Sequence, residues 1–262
     1  MKKTFSLILL ASALFACKSE KLEKTYTAKA YTNEDFNETP KEKNQVLKIV
    51  AIDSGKADSK EAFGLSFKDT VINIQDNQRA LAVKFKEARF INSQKTAALV
   101  QVEDGSGLVS PFYVVSLKDG NVGVTSLFRD SKGKNDKKYT KGLEEISLSN
   151  IIVNNDFVIA LVNGTVYPIK RQNETERIQG NYLFASGDKR TLVFLTDNSL
   201  YQVDFKANDA VNLPLPAKIS QAPNAGDLIR GGYSWAKNAK GNLFLKENPD
   251  DDRIVDIKEF KN

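Results

Sequence analysis

From Val46 onward, apolar residues come in runs of three to eight, separated by Asp, Asn, Gly and Lys. The runs are Val46–Ile52, Thr70–Ile74, Ala80–Phe85, Ala97–Val102, Phe112–Leu117, Val122–Phe128, Ile151–Val153, Phe157–Val162, Thr165–Ile169, Thr191–Thr196, Leu200–Phe205, Asn242–Leu245 and Arg253–Ile257. Short runs rich in Val, Ile, Phe and Tyr, bounded by turn formers, predict β-strands. Phe157–Val162 and Leu192–Leu195 are apolar without interruption, which predicts strands buried on both faces. Long helical periodicity is missing. One short helix is expected over Ser59–Phe63, with Asp58 and Glu61 spaced as a cap and Gly64 ending it.

Five turn pairs separate consecutive runs: Asp76-Asn77, Asp119-Gly120, Asn163-Gly164, Asp197-Asn198 and Lys240-Gly241, at intervals of 43, 44, 34 and 43 residues. Asn and Gly tolerate the positive φ angles of tight hairpins. A spacing of roughly 40–45 residues is the length of a four-stranded propeller blade. The expected class is all-β, with a small β-propeller favoured and a β-sandwich or open barrel as the alternative.

Residues 17–45 break the pattern. Lys, Glu, Asn and Thr dominate, and Leu22, Tyr26, Tyr31 and Phe36 supply nearly all the apolar content. Such a composition predicts a flexible polar tether ahead of one β-rich domain over 46–262. The first residues differ again: Met1-Lys2-Lys3, an apolar run of 11 residues from Phe5 to Phe15, then Ala16-Cys17. A basic start, a short apolar segment and a small exit residue describe an export signal over 1–16, too short for a bilayer that needs about 20 residues.

Leu14-Phe15-Ala16-Cys17 resembles the lipobox of bacterial lipoproteins, with Phe15 where a small residue is usual. The resemblance covers about the first twenty residues and implies that Cys17 receives diacylglycerol and becomes the N-terminus. It implies an envelope address, and the Lys18-Ser19 that follows implies the outer membrane by similarity to enterobacterial sorting. An ordinary export signal with a chance cysteine is the alternative.

Charge and composition then narrow the chemistry. Loss of Lys2 and Lys3 with the signal leaves 36 basic and 33 acidic side chains, too mild an excess to expect nucleic acid. The chain has no His and one Cys, so imidazole catalysis and the commonest transition-metal ligand are excluded, and no cofactor is expected. Ser-x-x-Lys occurs at Ser131–Lys134, Ser186–Lys189 and Ser234–Lys237, without the companion motifs of serine-activating enzymes. Asp250-Asp251-Asp252 lacks the alternation of calcium loops. Glu144-Glu145 and Glu174/Glu176 are adjacent carboxylates whose separation a sequence does not fix. No catalytic or metal site is expected.

Two segments stand out as partner-binding. Arg129, Lys132, Lys134, Lys137, Lys138 and Lys141 make six of thirteen positions basic in a segment without apolar periodicity. It predicts a mobile loop that is either solvated or suited to an anionic partner or lipid headgroup. Arg230-Gly231-Gly232-Tyr233-Ser234-Trp235 holds the one Trp; Tyr233 and Trp235 suit a sugar-stacking or partner-anchoring patch, or a strand edge filling the core. The expected function is a lipid-anchored, non-enzymatic binding or scaffolding module for an envelope protein or glycan. An immunity lipoprotein that blocks a toxin and a carboxylate-dependent carbohydrate-active enzyme are the alternatives.

Overall fold

The computed structural model describes residues 21–52, 62–76, 79–102, 111–129, 142–173, 178 and 180–248. They are all-β with two short helices, the class the run pattern predicts. Four sheets follow one another along the chain. The first contains β3 (Leu47–Ile52), β4 (Ala62–Phe67), β5 (Thr70–Asp76) and β6 (Arg79–Ala82), with β1 (Leu22–Thr27) parallel to β5. The second is the antiparallel meander β7 (Glu87–Phe90), β8 (Ala97–Gln101), β9 (Phe112–Lys118) and β10 (Asn121–Ser126), with β2 (Lys29–Ala30) parallel to β10.

The third sheet is the meander β11 (Leu143–Ser147), β12 (Asn150–Val153), β13 (Phe157–Ala160) and β14 (Thr165–Pro168). The fourth is β15 (Asn181–Ala185), β16 (Thr191–Leu195), β17 (Ser199–Asp204) and β18 (Asp209–Pro214). Helices α1 (Ala217–Ser220) and α2 (Ala225–Gly232) lead to a hairpin of β19 (Tyr233–Lys237) and β20 (Leu243–Glu247).

Side chains alternate across a strand, and this sorts the core into layers. Ala98, Val100, Tyr113 and Val115 of the second sheet meet the first, while Ala97, Leu99, Phe112 and Val114 meet the third. In the third sheet, Phe157 and Ile159 face the second sheet and Val158 faces the fourth. Leu192 and Phe194 face the third sheet, and Val193 faces the helices and hairpin. Within the uninterrupted apolar runs, Phe157–Ile159 and Leu192–Phe194 are thus buried on both faces, as expected, while Val162 reaches solvent in the following turn. Truncating such a residue, Phe157→Ala for example, would cost about 3–5 kcal/mol through lost transfer energy and the cavity left behind.

The turn spacing acquires a structural meaning. Asp119-Gly120 and Asn163-Gly164 each close the third hairpin of a meander. Asp197-Asn198 closes the second hairpin of the fourth sheet, which explains the short interval. The equivalent third turn there contains Lys206, 43 residues after Asn163. Asp119 and Gly120 take φ of 50° and 75°, the primed-turn geometry that matches strand twist. Gly164 has φ 67°, and a Cβ there would sit 3.2 Å from the Phe36 carbonyl oxygen.

Two expectations are corrected. Within 17–45, expected as a tether, the chain from Leu22 is laid across three sheets. β1 and β2 extend the first two, Tyr26 packs into the first core layer, and Tyr31 and Phe36 pack into the second. The Tyr31 hydroxyl donates to the Val166 carbonyl at 2.7 Å, and Asn92 Nδ2 donates to the Phe36 carbonyl at 2.9 Å. Three aromatics spaced five apart, plus borrowed sheet edges, suffice to order a polar segment. The helix expected at Ser59–Phe63 is replaced, in its described part, by strand: Ala62 and Phe63 open β4, and Gly64 lies inside it opposite Val50. Residues 53–61, and the strand expected at Arg253–Ile257, lie outside the described residues.

Candidate functional site

A buried polar cluster lies at the β12–β13 turn, between the segments that leave β10 and β14. β12 and β13 are connected by Asn154-Asn155-Asp156, with Asn154 and Asn155 both left-handed at φ 51° and 55°, a conformation Asn tolerates. The turn points Asp156 inward, where its side chain is 1% exposed. Arg171 Nε and Nη2 both donate to Asp156 Oδ1, at 3.1 and 3.0 Å, and Arg171 Nη2 also donates to the Arg129 carbonyl at 3.0 Å. Arg129 Nη1 donates to the Ile169 carbonyl at 2.6 Å and stands 3.8 Å from Asp156 Oδ1.

Asn154 Oδ1 accepts the Gly142 N–H, and Asn155 Nδ2 donates to the Gly180 carbonyl while its buried Oδ1 has no partner. The guanidiniums therefore bind carbonyls of connecting segments that no strand pairs. The Asp156 carboxylate, held against two guanidiniums, ties these connecting segments together.

Of the basic residues expected to bind a partner, Arg129 is described: its guanidinium lies 6.0 Å over the Phe157 ring and donates to the Ile169 carbonyl. Lys132, Lys134, Lys137, Lys138 and Lys141 lie outside the described residues, as do Cys17, Ser131–Lys134, Glu174, Glu176 and Asp250–Asp252.

The second candidate segment joins a helix end to a strand whose aromatics pack on the core. Arg230-Gly231-Gly232 ends α2, and Tyr233 begins β19. Tyr233 is buried with Val193, Leu200 and Ile229. Trp235 is half-buried, its ring edge-on to Phe184 at 6.3 Å. The Arg230 guanidinium lies 5.0 Å over the same Phe184 ring and pairs with Asp227 at 3.2 Å. Trp235, Phe184 and Arg230 form a partly exposed cation–aromatic stack.

Below this stack, fully buried Gln202 reaches from the fourth sheet to the edge of β20. Its Oε1 accepts the Leu245 N–H at 2.6 Å and its Nε2 donates to the Leu245 carbonyl at 3.1 Å. Thr191 Oγ1 donates to the Leu243 carbonyl at 2.7 Å. Asp209 fastens the β19–β20 turn: Asn238 and Asn242 donate to its Oδ2, and Lys240 lies 3.1 Å from its Oδ1. The Asn242 hydrogen bond, with those of Lys240 and Asn238, holds the Asp209 carboxyl below the ordinary value.

The remaining motifs resolve into local structure. Ser186 Oγ donates to Asp188 and accepts the Thr191 N–H, bracing the β15–β16 turn, while Lys189 is a left-handed turn residue at φ 59°. Ser234 and Lys237 lie three apart in β19 and so face opposite sides. Glu144 and Glu145 are neighbours in β11 and diverge for the same reason; Glu145 accepts Arg89 at 3.0 Å. Burial pushes the Tyr201 hydroxyl up to about 12 while it donates to the Lys170 carbonyl. Burial, with Glu144 nearby, does the same to Tyr182.

The sequence did not reveal the Asp156 cluster. Asn154-Asn155 between two apolar runs signals a hairpin, but nothing local marks the following Asp as buried or names Arg171 as its partner. The chain matches no protein-family model, and no curated protein sequence is similar to it.

Proposed function

We propose that the protein is an envelope lipoprotein, anchored through Cys17 and sorted to the outer membrane, that acts as a non-enzymatic binding or scaffolding module. The observation that carries this reading is the use made of buried polar groups. Asp156, Arg171, Gln202 and Thr191 are committed to joining one sheet to the next. Chemistry of this kind supports a rigid platform, and its partner contacts belong on the surface.

The described surface offers the Trp235–Phe184–Arg230 stack, suited to a glycan or a protein carrying an apolar anchor. We read the sheets as blades of a small propeller-like series. Three chain-sequential meanders packed face to face, with third-hairpin turns 43–44 residues apart, support it.

Fractionation tests the anchor. Cys17→Ala is expected to move the protein from the membrane to the soluble fraction, and retention in the membrane would refute it. Capture from intact cells with the lipidated protein tests the module. Wild type is expected to enrich an envelope protein or glycan that Trp235→Ala loses, with unchanged thermal stability to within about 1 kcal/mol. Turnover of envelope glycans by the purified protein would overturn the non-enzymatic reading.

A further inference from the structure

The turns at one end of the sheets form a continuous rim. Leu22 opens β1 opposite Thr70, beside the Lys68-Asp69 turn. The Leu47 N–H, one rung from that turn, donates to the Lys95 carbonyl at 2.9 Å, which continues the rim into the β7–β8 turn. Asn92 in the same turn bridges Asn163 in the β13–β14 turn. The Leu161 N–H donates to the Ser149 carbonyl at 2.8 Å, joining the β11–β12 turn. Strand polarity thus places Leu22, Val162 and Leu148 on one rim that spans three sheets.

These are the most exposed large apolar side chains among the described residues: Leu22 is 73% exposed, Val162 66%, and Leu148 fully. Isolated exposed apolar residues are ordinary. Three at turn or strand-start positions on one rim, where Gly, Asn and Asp are usual, are not explained by folding.

Chain length supplies an independent argument. Leu22 is already in the sheet five residues after Cys17, and an extended chain covers at most about 3.6 Å per residue. A lipid on Cys17 therefore keeps Leu22, and the rim it belongs to, within about 18 Å of the headgroups. The opposite ends of the strands lie a further strand length away.

We propose that this rim is a lipid-docking surface. Leu22, Leu148 and Val162 enter the headgroup region, and exposed Lys21, Lys43, Lys68 and Lys95 around them bring their ammonium groups to the phosphates. Diacylglycerol suffices for attachment; the rim adds orientation, holding the strands upright and the opposite turns away from the bilayer. The proposal rests on the anchored-lipoprotein reading for its tether, but the apolar tips stand apart from it.

The test exploits the chain's lone cysteine, which lipidation blocks as a thioether. Leu22→Cys, Leu148→Cys and Val162→Cys are each labelled with a polarity-sensitive dye and reconstituted into phosphatidylethanolamine–phosphatidylglycerol vesicles. The expected result is a blue shift and quenching by lipid-borne nitroxides at all three, with a water-like signal from Leu81→Cys in β6. Water-like signals at all four positions in protein that floats with the vesicles overturn the rim and leave the anchor standing.

Protein that carries no lipid overturns the anchor instead, and the rim is then judged by co-sedimentation of the unlipidated full chain with the same vesicles. There, combined Leu22→Ser, Leu148→Ser and Val162→Ser must weaken binding at least about tenfold, and binding equal to the parent refutes docking. Because the three sites are exposed, circular dichroism of the triple variant should match the parent.

Discussion

The seam at the β12–β13 turn, which ties the segments leaving β10 and β14, and the join between the fourth sheet and the β19–β20 hairpin solve the same problem with opposite chemistry. The first seam gathers carbonyls of connecting segments, scattered in direction, and uses the multiple donors of Arg171 and Arg129, with the Asp156 carboxylate as their shared counter-charge. The second seam meets a strand edge, whose N–H and C=O at Leu245 are spaced for one amide, and uses neutral Gln202. Charge is recruited where the backbone to be satisfied is irregular, and an amide suffices where it is regular. The cost of disruption should differ accordingly: removing one member of a buried ion cluster strands a charge, whereas removing the amide strands dipoles.

The largest effect is expected from Arg171→Met, which leaves Asp156 with a buried carboxylate short of its closest partner. Urea unfolding should show a loss of about 3–5 kcal/mol. Combining it with Asp156→Leu should restore at least half; failure to restore would show that packing, not stranded charge, sets the cost. Gln202→Leu should lose about 2–4 kcal/mol, since two buried backbone groups go unpaired, each in the lower part of the usual range of about 1–3. Hydrogen exchange should localise that loss to the Leu245 amide and the hairpin, sparing the third sheet. A global loss equal to that of Arg171→Met would erase the distinction between the seams.

Tyr31→Phe offers a smaller calibration, a neutral bond from the N-terminal segment to the Val166 carbonyl. It should cost about 1 kcal/mol in the same unfolding assay. Smallest is the pH response of the hairpin turn. Asp209 is held below its ordinary value, so the folded protein takes up this proton at lower pH than the unfolded chain. Its stabilisation is complete above the unfolded value of about 4 and is lost as pH falls through the folded one. Asp209→Asn should therefore lower Tm at pH 6 and flatten the decline between pH 4 and pH 2. An unchanged slope would assign acid sensitivity elsewhere.

Legibility in the sequence followed position within the sheets. Central strands β8, β9, β12, β13, β16 and β17 are apolar on both faces and were all visible as runs. Edge strands divide: β3 and β14 lie in the runs Val46–Ile52 and Thr165–Ile169, whereas β1, β7, β11 and β18 were not visible because polar residues break up their apolar content, as in Leu-Glu-Lys-Thr-Tyr-Thr of β1, and β15 was missed despite Tyr182-Leu183-Phe184. β4 was misread for another reason: the cap-like spacing of Asp58 and Glu61 with Gly64 as a stop suggested a short helix where Ala62-Phe63-Gly64 opens a strand. Helix α2 hid behind Gly226, Gly231 and Gly232, poor helix formers. Of the candidate contacts, Trp235 is half-buried beside Phe184 and Arg230, while the contacts of Arg129 with Asp156 and Ile169 exist only because the tertiary fold brings them near.

The parallel pairing of β1 with β5 also has a mechanical meaning. Their six-residue register, Leu22 opposite Thr70 through Thr27 opposite Gln75, lies along the direction in which the chain arrives from residue 21. A pull on that end loads the rungs side by side in shear, so they must yield together instead of peeling singly. Behind them, Tyr31 and Phe36 are fastened to the third sheet and to Asn92. Traction on the N-terminal end would thus spread over three sheets, and the polar N-terminal segment serves as a harness.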